Sequence, residues 1–465
     1  MQLARALRLG AQDVVALAGG GGKTTLMFRL AAELVAAGGH VVTTMTTRIF
    51  LSQMKQAPAH LIVHSRMPGT GNTRSGPEEW DDGAWLDQLT ALLAAHGHVL
   101  VASDTDVEAG KVAGVPVALV DRLARMPGVD AVILEADGSR RLPFKAPAGH
   151  EPVIPGSATI VVPMVGMDAL GRPLDATAVH RPERVAALTG AAPGAPITPA
   201  IIAQVLVHPQ GGARGLPPGA RLVPFLNKVE DEETLEAARE VARLALAEAR
   251  VESVVIGALH QPDPAREVWT RAGAVVLAAG SASRYGALKQ ALPWRGRPLV
   301  AHVAAQALAC VDVRRVAVTL GAGAAEVQAA LAGLPIEPVP VPNWADGQSQ
   351  SVRAGLSALT RDKGPLGAVL FLLADQPGVS PALLSALIDR HRATLAPVVA
   401  PRFNGQRGNP VLFDRGVFDE FEALRGDVGA RPIIEAYANQ IAWLDWPTPE
   451  ITQDIDRPAD YLPPP

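Results

Sequence analysis

At 465 residues the chain is too long for one ordinary core, so two to four domains are expected, with two large ones the simplest division. Hydrophobic residues at 48 % and charged residues at 19 % exclude a disordered chain. A balance of 42 basic against 46 acidic side chains, formal charge −4, excludes bulk attraction to nucleic acid or anionic lipid, and the lone Cys310 excludes an intrachain disulfide and a multi-cysteine zinc site.

The N-terminal stretch MQLARALRLGAQD lacks the apolar core of a signal peptide, and no apolar run reaches membrane-spanning length. A cytoplasmic protein with no membrane contact is therefore expected, and Cys310 is expected to serve packing in a reducing compartment.

Short β-rich apolar runs alternate with amphipathic helical stretches, the pattern of parallel sheets covered by helices. In the first half, strands are predicted at Val14 to Ala18, Val41 to Thr44, Val99 to Ala102, Ala131 to Glu135, Thr159 to Val162 and Leu222 to Leu226. The first strand runs into ALAGGGGKTTL. This departs from the P-loop pattern G-x-x-x-x-G-K-[ST], because Leu17 stands where the first glycine belongs, but Gly22, Lys23 and Thr24 keep its end. Phosphate binding is expected there; the competing reading is a plain helix N-terminus after a glycine run.

Met67 to Gly83 has loop composition, and Gly190 to Pro199 and His208 to Arg221 read as connections. The strand AVILEADGSRR ends in Glu135 and Asp137, like the acidic strand that supports Mg²⁺ in P-loop proteins. LVPFLNKVE is similar to the N-K-x-D base-reading box of GTPases, with Glu230 at the aspartate position and a surface loop as the alternative for Asn227 and Lys228.

AGGGGKTTLMFRL, TTMTTRIF, EADGSRRLPFKAPAGHEPVIP and LNKVE together resemble the selenium-dependent hydroxylase accessory family, over about Leu9 to Ile256. The resemblance implies a nucleotide-binding role in maturing molybdenum hydroxylases, without fixing a reaction. Arg140, Lys145, His150 and Glu151 are then either ligand contacts or a solvated loop, and His180 is either a contact or a structural histidine.

HQPDPAREVWTRAG, with two prolines and several charges before a new apolar strand, reads as a connection near Gln261 to Arg271. It divides the chain into residues 1–260 and 272–465. In the second half, strands are predicted at Ala274 to Ala278, Arg315 to Leu320, Ala368 to Leu373, Pro397 to Ala400 and Ile441 to Leu444, and the YLPPP tail is expected to fray.

The second half opens with VVLAAGSASRYGALKQALPW, which fits neither G-x-G-x-x-G nor a P-loop. It is a strand and a small-residue turn, open to close approach by an anion, followed by the cations Arg284 and Lys289. GAVLFLLADQP places Asp375 at the carboxyl edge of a buried strand, where open α/β sheets bind ligands and where a hard Mg²⁺ ion finds an oxygen donor. In ITQDIDRPADY, Asp454 and Asp456 share one side of an extended chain, and either can complete a metal site with Asp375. Turn roles for these aspartates are the alternative.

The ordered motifs LAAGSASRYGALK, NWADGQSQSVRAGL, LLADQP, PRFNGQRGNPVLF, LRGDVGARP and DIDRPADY resemble the molybdenum cofactor cytidylyltransferases, within the MobA-like nucleotidyltransferases, over Ala272 to Tyr461. The resemblance implies transfer of CMP from CTP to the phosphate of Mo-molybdopterin, with Mg²⁺ as cofactor, pyrophosphate as product and a molybdenum hydroxylase as recipient. Ala278, Ala279, Gly280 and Ser281 match the loop along the nucleotide, Arg284 and Lys289 its triphosphate cations, and Ser351 and Gly355 the helix start facing the base. Asp375 and Asp456 match the metal-binding acids, and Asn404, Arg407, Asn409, Arg425, Asp427 and Arg431 fall in the segments associated with the pterin. Catalytic roles fall to Arg284, Lys289 and Asp375.

The expected fold class is α/β in two domains: an N-terminal P-loop-like α/β domain and a C-terminal Rossmann-like nucleotidyltransferase domain with a mostly parallel sheet. An incoming phosphate is already an anion, so the reaction needs alignment and charge neutralisation, with no strong base. Related guanylyltransferases carry LAGG where this chain has LAAG, which favours CTP and leaves GTP as the second choice. A sugar-phosphate nucleotidyltransferase and a non-enzymatic cofactor carrier are the other open readings; retained Lys289 and Asp375 speak for an enzyme, and RGNP and RGDVGARP for a pterin.

Overall fold

The apolar run that opens the first half forms β1 (Asp13–Gly19), buried from Val14 to Ala18. A computed structural model describes residues 1–47, 49–50, 54–63, 84–103, 105–106, 111–280, 288–361, 364–455 and 461. Met67 to Gly83, and the proposed site residues Ser281, Arg284 and Asp456, lie outside the described residues. The chain divides into two compact units, Met1–Trp269 and Thr270–Pro465. No helix among the described residues is long and apolar enough to cross a membrane.

In the first unit β1 is followed by α1 (Lys23–Ala36), β2 (Val41–Met45), β3 (Ala59–Ile62), α2 (Ala84–His96), β4 (His98–Ala102), α3 (Val117–Leu123) and β5 (Ala131–Glu135). Then come β6 (Phe144–Lys145), β7 (Ile160–Gly166), β8 (Val179–His180), α4 (Pro182–Thr189), α5 (Pro199–Val207), β9 (Phe225–Asn227), α6 (Glu232–Ala245), β10 (Ser253–Gly257) and β11 (Ala265–Thr270). The main sheet runs β11-β10-β9-β7-β1-β5-β2-β4-β3, and β9-β7-β1-β5-β2 pair in parallel. That register brings the carboxyl ends of β1, β5, β7 and β9, with Gly19, Glu135, Gly166 and Asn227, to one edge.

Two expectations need correcting here. The predicted strand Leu222 to Leu226 is broken into Arg221–Leu222 and β9, because Pro224 has no N–H for a continuous ladder. The connection expected near Gln261 to Arg271 holds the sheet-edge strand β11, whose Val268 and Trp269 are buried; the prolines sit in the turn before it.

The second unit consists of β12 (Ala272–Ala278), α7 (Leu299–Ala309), β13 (Val313–Leu320), α8 (Ala324–Ala330), β14 (Glu337–Pro340), α9 (Gln348–Thr360) and β15 (Ala368–Leu373). It continues with α10 (Pro381–Thr394), β16 (Val398–Phe403), β17 (Gln406–Arg407), β18 (Val411–Asp414), α11 (Arg431–Ala436) and β19 (Ile441–Asp445). Its sheet runs β14-β13-β12-β15-β18-β16-β17 with β19 beside β16; β14-β13-β12-β15 are parallel, and β18 runs antiparallel to both neighbours.

Alternation along the strands splits the apolar side chains between two faces. Val276, Val318, Leu370 and Leu372 pack with α7 and α10, while Val275, Ala317, Val369 and Phe371 pack with α9. On the latter face Phe371, Phe413 and Phe421 form an aromatic trio with centroids 5.1 to 5.7 Å apart. Cys310 is buried among the α7 residues, as its packing role requires.

Candidate active site and nucleotide loops

At the carboxyl edge of the second sheet, β12 ends in Ala278 and leads into Ala279 and Gly280. The Ala278 N–H donates to Thr319 Oγ1 at 3.2 Å. The buried Gln290 fastens the turn from behind, its Nε2 donating to the carbonyls of Ala278 (3.2 Å) and Gly280 (2.9 Å). Beside it, Lys289 Nζ donates to Asp375 Oδ2 at 2.9 Å, with the two side chains 14 % and 28 % exposed. Parallel register does the rest: Leu277 stands opposite Leu373, so the residues just beyond β12 and β15 meet at one edge.

The C-terminal segment joins this edge. Ile455 donates its N–H to the Asp375 carbonyl at 3.1 Å, and Gln376 Nε2 donates to Asp454 Oδ1. Among the described residues, Gln290 Oε1, Gln376 Oε1 and Ser349 Oγ are buried atoms without a hydrogen-bond partner. Such atoms are uncommon in folded proteins, and Gln290 and Gln376 adjoin Lys289 and Asp375 in the chain.

Next to this edge lies a cavity of about 320 Å³ whose walls include Arg407, Asn409, Arg431 and Asp454, with Val352 and Phe371 on its apolar side. Desolvation and the neighbouring Arg431 push the Arg407 guanidinium below its ordinary value. Three of the six residues assigned to the pterin by resemblance are thus brought together, and the other three have different places. Asn404 (φ 48°) and Gly405 (φ 79°) make the tight turn of the β16–β17 hairpin, the usual job of an Asn-Gly pair. Asp427 accepts the Gln348 N–H at 3.2 Å and so caps α9. Arg425 lines a separate cavity of about 660 Å³ with Arg353, on the other side of α9.

The two residues matched to the base lie one turn apart on α9. Ser351 is buried in the first turns of α9, whereas Gly355 lies mid-helix, where a Cβ would meet Val275 Cγ1 at 2.4 Å. Gly355 therefore lets α9 lie close on the sheet. Ala279 is 2 % exposed and packs beside Gly321, so its methyl shapes the loop from within.

In the first unit, Gly19 (φ 90°), Gly21 (φ 80°) and Gly22 (φ 133°) take conformations that favour glycine, and a Cβ on Gly21 would lie 2.1 Å from Gly166 N. The turn delivers Lys23 and Thr24 to the start of α1. Lys23 Nζ donates to the Gly19 carbonyl at 2.5 Å and lies 3.3 Å from Asp137 Oδ1, and Thr24 Oγ1 donates to Glu135 Oε1. Asp137 also receives the Gly19 N–H at 3.1 Å and Lys145 Nζ at 2.9 Å. Burial pushes the Glu135 carboxyl up, against the pull of Lys23 and Thr24.

The NKVE segment is no surface loop at Asn227. That side chain is buried and clamps the glycine turn, donating from Nδ2 to the Gly21 carbonyl at 2.6 Å and accepting the Leu259 N–H at 2.9 Å. Lys228 pairs with Asp168 at 2.7 Å and Glu230 with His260 at 2.9 Å. Lys145 and Glu151 are likewise not a solvated loop: they form a 2.8 Å ion pair with a fully buried lysine. Burial raises the Glu151 carboxyl, but hydrogen bonds from Arg181 and Lys145 outweigh it and hold the group at about 2. His150 is exposed, while His180 is buried in β8.

The fold and the two edges define a two-unit α/β protein with a nucleotidyltransferase domain: residues 274–441 match the MobA-like NTP transferase domain. Residues 15–183 match the YqeC protein family. The chain is 32 % identical over 256 residues to the uncharacterized protein YqeC of Escherichia coli (strain K12), covering 54 % of this chain and 91 % of that one. The chain belongs to the YqeC family through its first unit. Among solved structures it is similar to Rv0371c from Mycobacterium tuberculosis H37Rv, with 30 % identity, a TM-score of 0.37, and coverage of 41 % of this chain and 95 % of that chain. It is also similar to a nucleotidyl transferase from Methanothermobacter thermautotroptrophicus, with 23 % identity, a TM-score of 0.36, and coverage of 41 % and 94 %.

Proposed function

We propose that the second unit transfers CMP from CTP to the phosphate of Mo-molybdopterin, releasing pyrophosphate, in a cytoplasmic protein that supplies a molybdenum hydroxylase. The observation that carries this reading is the Lys289–Asp375 pair beside the Ala278 to Gly280 turn, next to a cavity holding Arg407, Asn409 and Arg431. The turn, continued by Ser281, takes the nucleotide; Lys289 and Arg284 take its triphosphate. Because the acceptor phosphate is already ionised, the residues' work is to align attacker, α-phosphorus and pyrophosphate.

Asp375 has the chemistry Mg²⁺ takes: a partly exposed carboxylate at a sheet edge, with waters and substrate phosphates completing the shell. Asp375 and Asp456 would hold the ion, and bound there it would neutralise charge on the phosphates. Arg407 and Arg431 suit the anionic end of the acceptor, and Val352 and Phe371 its flat ring system.

For the first unit the proposal is a nucleotide-binding maturation module of P-loop-like design, with Gly22, Lys23 and Thr24 on the phosphates and Glu135 on the cation side. Product analysis by mass spectrometry tests the whole reading. Purified protein given Mg²⁺, CTP and GTP with Mo-molybdopterin and a panel of sugar phosphates should yield the cytosine dinucleotide of the pterin. A sugar nucleotide in its place would sink the acceptor assignment.

A further inference from the structure

Each member of the Lys289–Asp375 pair is followed in the chain by a buried glutamine, Gln290 and Gln376. In both, the amide Nε2 is engaged while Oε1 has no hydrogen-bond partner among the described residues. Gln290 uses its nitrogen to fasten the nucleotide turn. Gln376 uses its nitrogen on Asp454 Oδ1. An ionised carboxylate oxygen only accepts, so the amide nitrogen must face Asp454, and the carbonyl is left stranded in the interior. Burying an unpaired carbonyl oxygen lowers stability, whereas methionine, unbranched and of the same length, would fill the space without a polar atom to satisfy. Packing alone does not account for glutamine here.

The amide reaches a segment that lies across the site. Residues 449–455 are anchored by the buried Ile451 and Ile455. Asn409 donates its N–H to the Ile451 carbonyl at 2.9 Å, and a Cβ on Gly408 would lie 2.5 Å from Ile451 O. At the other side, a Cβ on Gly378 would lie 2.4 Å from Glu450 Cβ. The segment therefore spans from the turn after β15, which carries Asp375, to the wall of the 320 Å³ cavity, where Asn409 and Asp454 both stand.

β15 ends at Leu373, so the ladder does not extend to Asp375. The turn is held on the sheet side by the Ala374 N–H on the Leu277 carbonyl at 3.2 Å. On the other side two consecutive residues are tied to two consecutive residues: the Asp375 carbonyl accepts the Ile455 N–H at 3.1 Å, and Gln376 holds Asp454. Of these two ties only the second is made by a side chain, and so only the second depends on which residue stands at position 376.

We propose that Gln376 is a positioning residue for the cation site: by holding Asp454 it fixes the turn of Asp375 against residues 454–455 and so presents the Asp375 carboxylate to a divalent cation. A ligand whose supporting hydrogen bond is lost must be ordered when the ion binds, which commonly weakens binding by 10-fold to 100-fold. The inference rests on the reading of Asp375 as a cation ligand, and on neither the choice of CTP nor the pterin acceptor.

The test is a titration of the full chain with Mn²⁺, followed by electron paramagnetic resonance, with and without the α,β-methylene analogues of CTP and GTP. Asp375→Asn identifies the ion that belongs to this site. The expected result is one Mn²⁺ per chain lost in Asp375→Asn, bound about 10-fold more weakly in Gln376→Met, with a melting temperature for Gln376→Met no lower than that of the wild type. In an Asp454→Ala background, Gln376→Met should weaken Mn²⁺ binding less than about twofold further, because the amide has already lost its partner. Should methionine lower the melting temperature, the same cycle is measured at a temperature where all four proteins are folded, and its non-additivity decides.

Unchanged Mn²⁺ affinity in Gln376→Met would overturn the proposal. So would equal weakening in the two backgrounds, which would show that Gln376 does not act through Asp454. Absence of any Asp375-dependent Mn²⁺ would overturn it together with the cation reading of Asp375. If the Mn²⁺ cycle behaves as expected but CTP and Mo-molybdopterin yield no pyrophosphate, the role of Gln376 stands and the transfer reading falls.

Discussion

Lys289 Nζ lies 2.9 Å from Asp375 Oδ2, although 86 positions separate the two residues. The contact exists because β12 and β15 are parallel neighbours in register, so that the segments leaving both strands share one edge. An ammonium and a carboxylate poised together beside a small-residue turn can meet a triphosphate and its cation without large rearrangement. Most of the functional account depends on this pair.

Asp375→Asn should keep the fold, since the shape barely changes, and lower nucleotidyl transfer by about 100-fold or more, the scale of losing one charge-stabilising group. Pyrophosphate release and a thermal melt, measured on the same preparation, check both halves of the statement. Unchanged turnover would remove Asp375 from the mechanism.

Lys23→Ala should abolish nucleotide binding by the first unit and leave CTP turnover by the second nearly intact. Lys23 reaches Gly19 and Asp137, and all three lie in the first unit. Calorimetric titration with ATP and GTP, beside a pyrophosphate assay, separates the two effects. Loss of CTP turnover in the folded variant would mean the sites are coupled.

Ala279→Gly should narrow the preference for CTP over GTP by about tenfold, within the roughly 1–3 kcal/mol that one methylene commands in a pocket. The methyl is buried beside Gly321, so the change acts by loosening the loop that carries the nucleotide. The ratio of kcat/KM values for the two nucleotides is the measurement, and an unaltered ratio would show that this methyl does not govern base choice.

His98 gives a pH prediction for the first unit. Its ring is buried, contacts Thr43 Oγ1 at 2.8 Å, and has its pKa lowered to about 4 by burial. A depressed folded-state value means the unfolded chain binds the proton more readily. The contribution of the neutral ring is therefore complete above about pH 6.5 and is lost as pH falls toward 4, by linkage roughly 3 kcal/mol in all. Denaturant melts at stepped pH should show this loss in wild type and a flatter profile in His98→Gln; identical slopes would refute it.

The sequence made the parallel strands and their carboxyl edges legible, because apolar runs separated by helical stretches leave few other arrangements. Asp375 was readable from its place after AVLFLL, and Lys23 with Thr24 from their place after the glycines. Asn404 stands in an Asn-Gly pair, which is a local hairpin signal, whereas Asp427 caps a helix that starts 79 positions earlier, which only tertiary contact decides. The burial of Asn227 is not legible, because nothing in LNKVE reveals that its amide closes on Gly21. β11 was hidden by the prolines before it, and Gly355 by a packing role that only the approach of α9 to Val275 discloses.

The central claim is CMP transfer to a pterin phosphate, and its most direct measurement is pyrophosphate release from CTP and Mg²⁺ by the purified full chain before and after adding Mo-molybdopterin. The account predicts negligible release without the acceptor and, on its addition, one pyrophosphate per pterin converted. Tight binding of CTP and pterin without pyrophosphate release would contradict it and identify the second unit as a carrier of the cofactor.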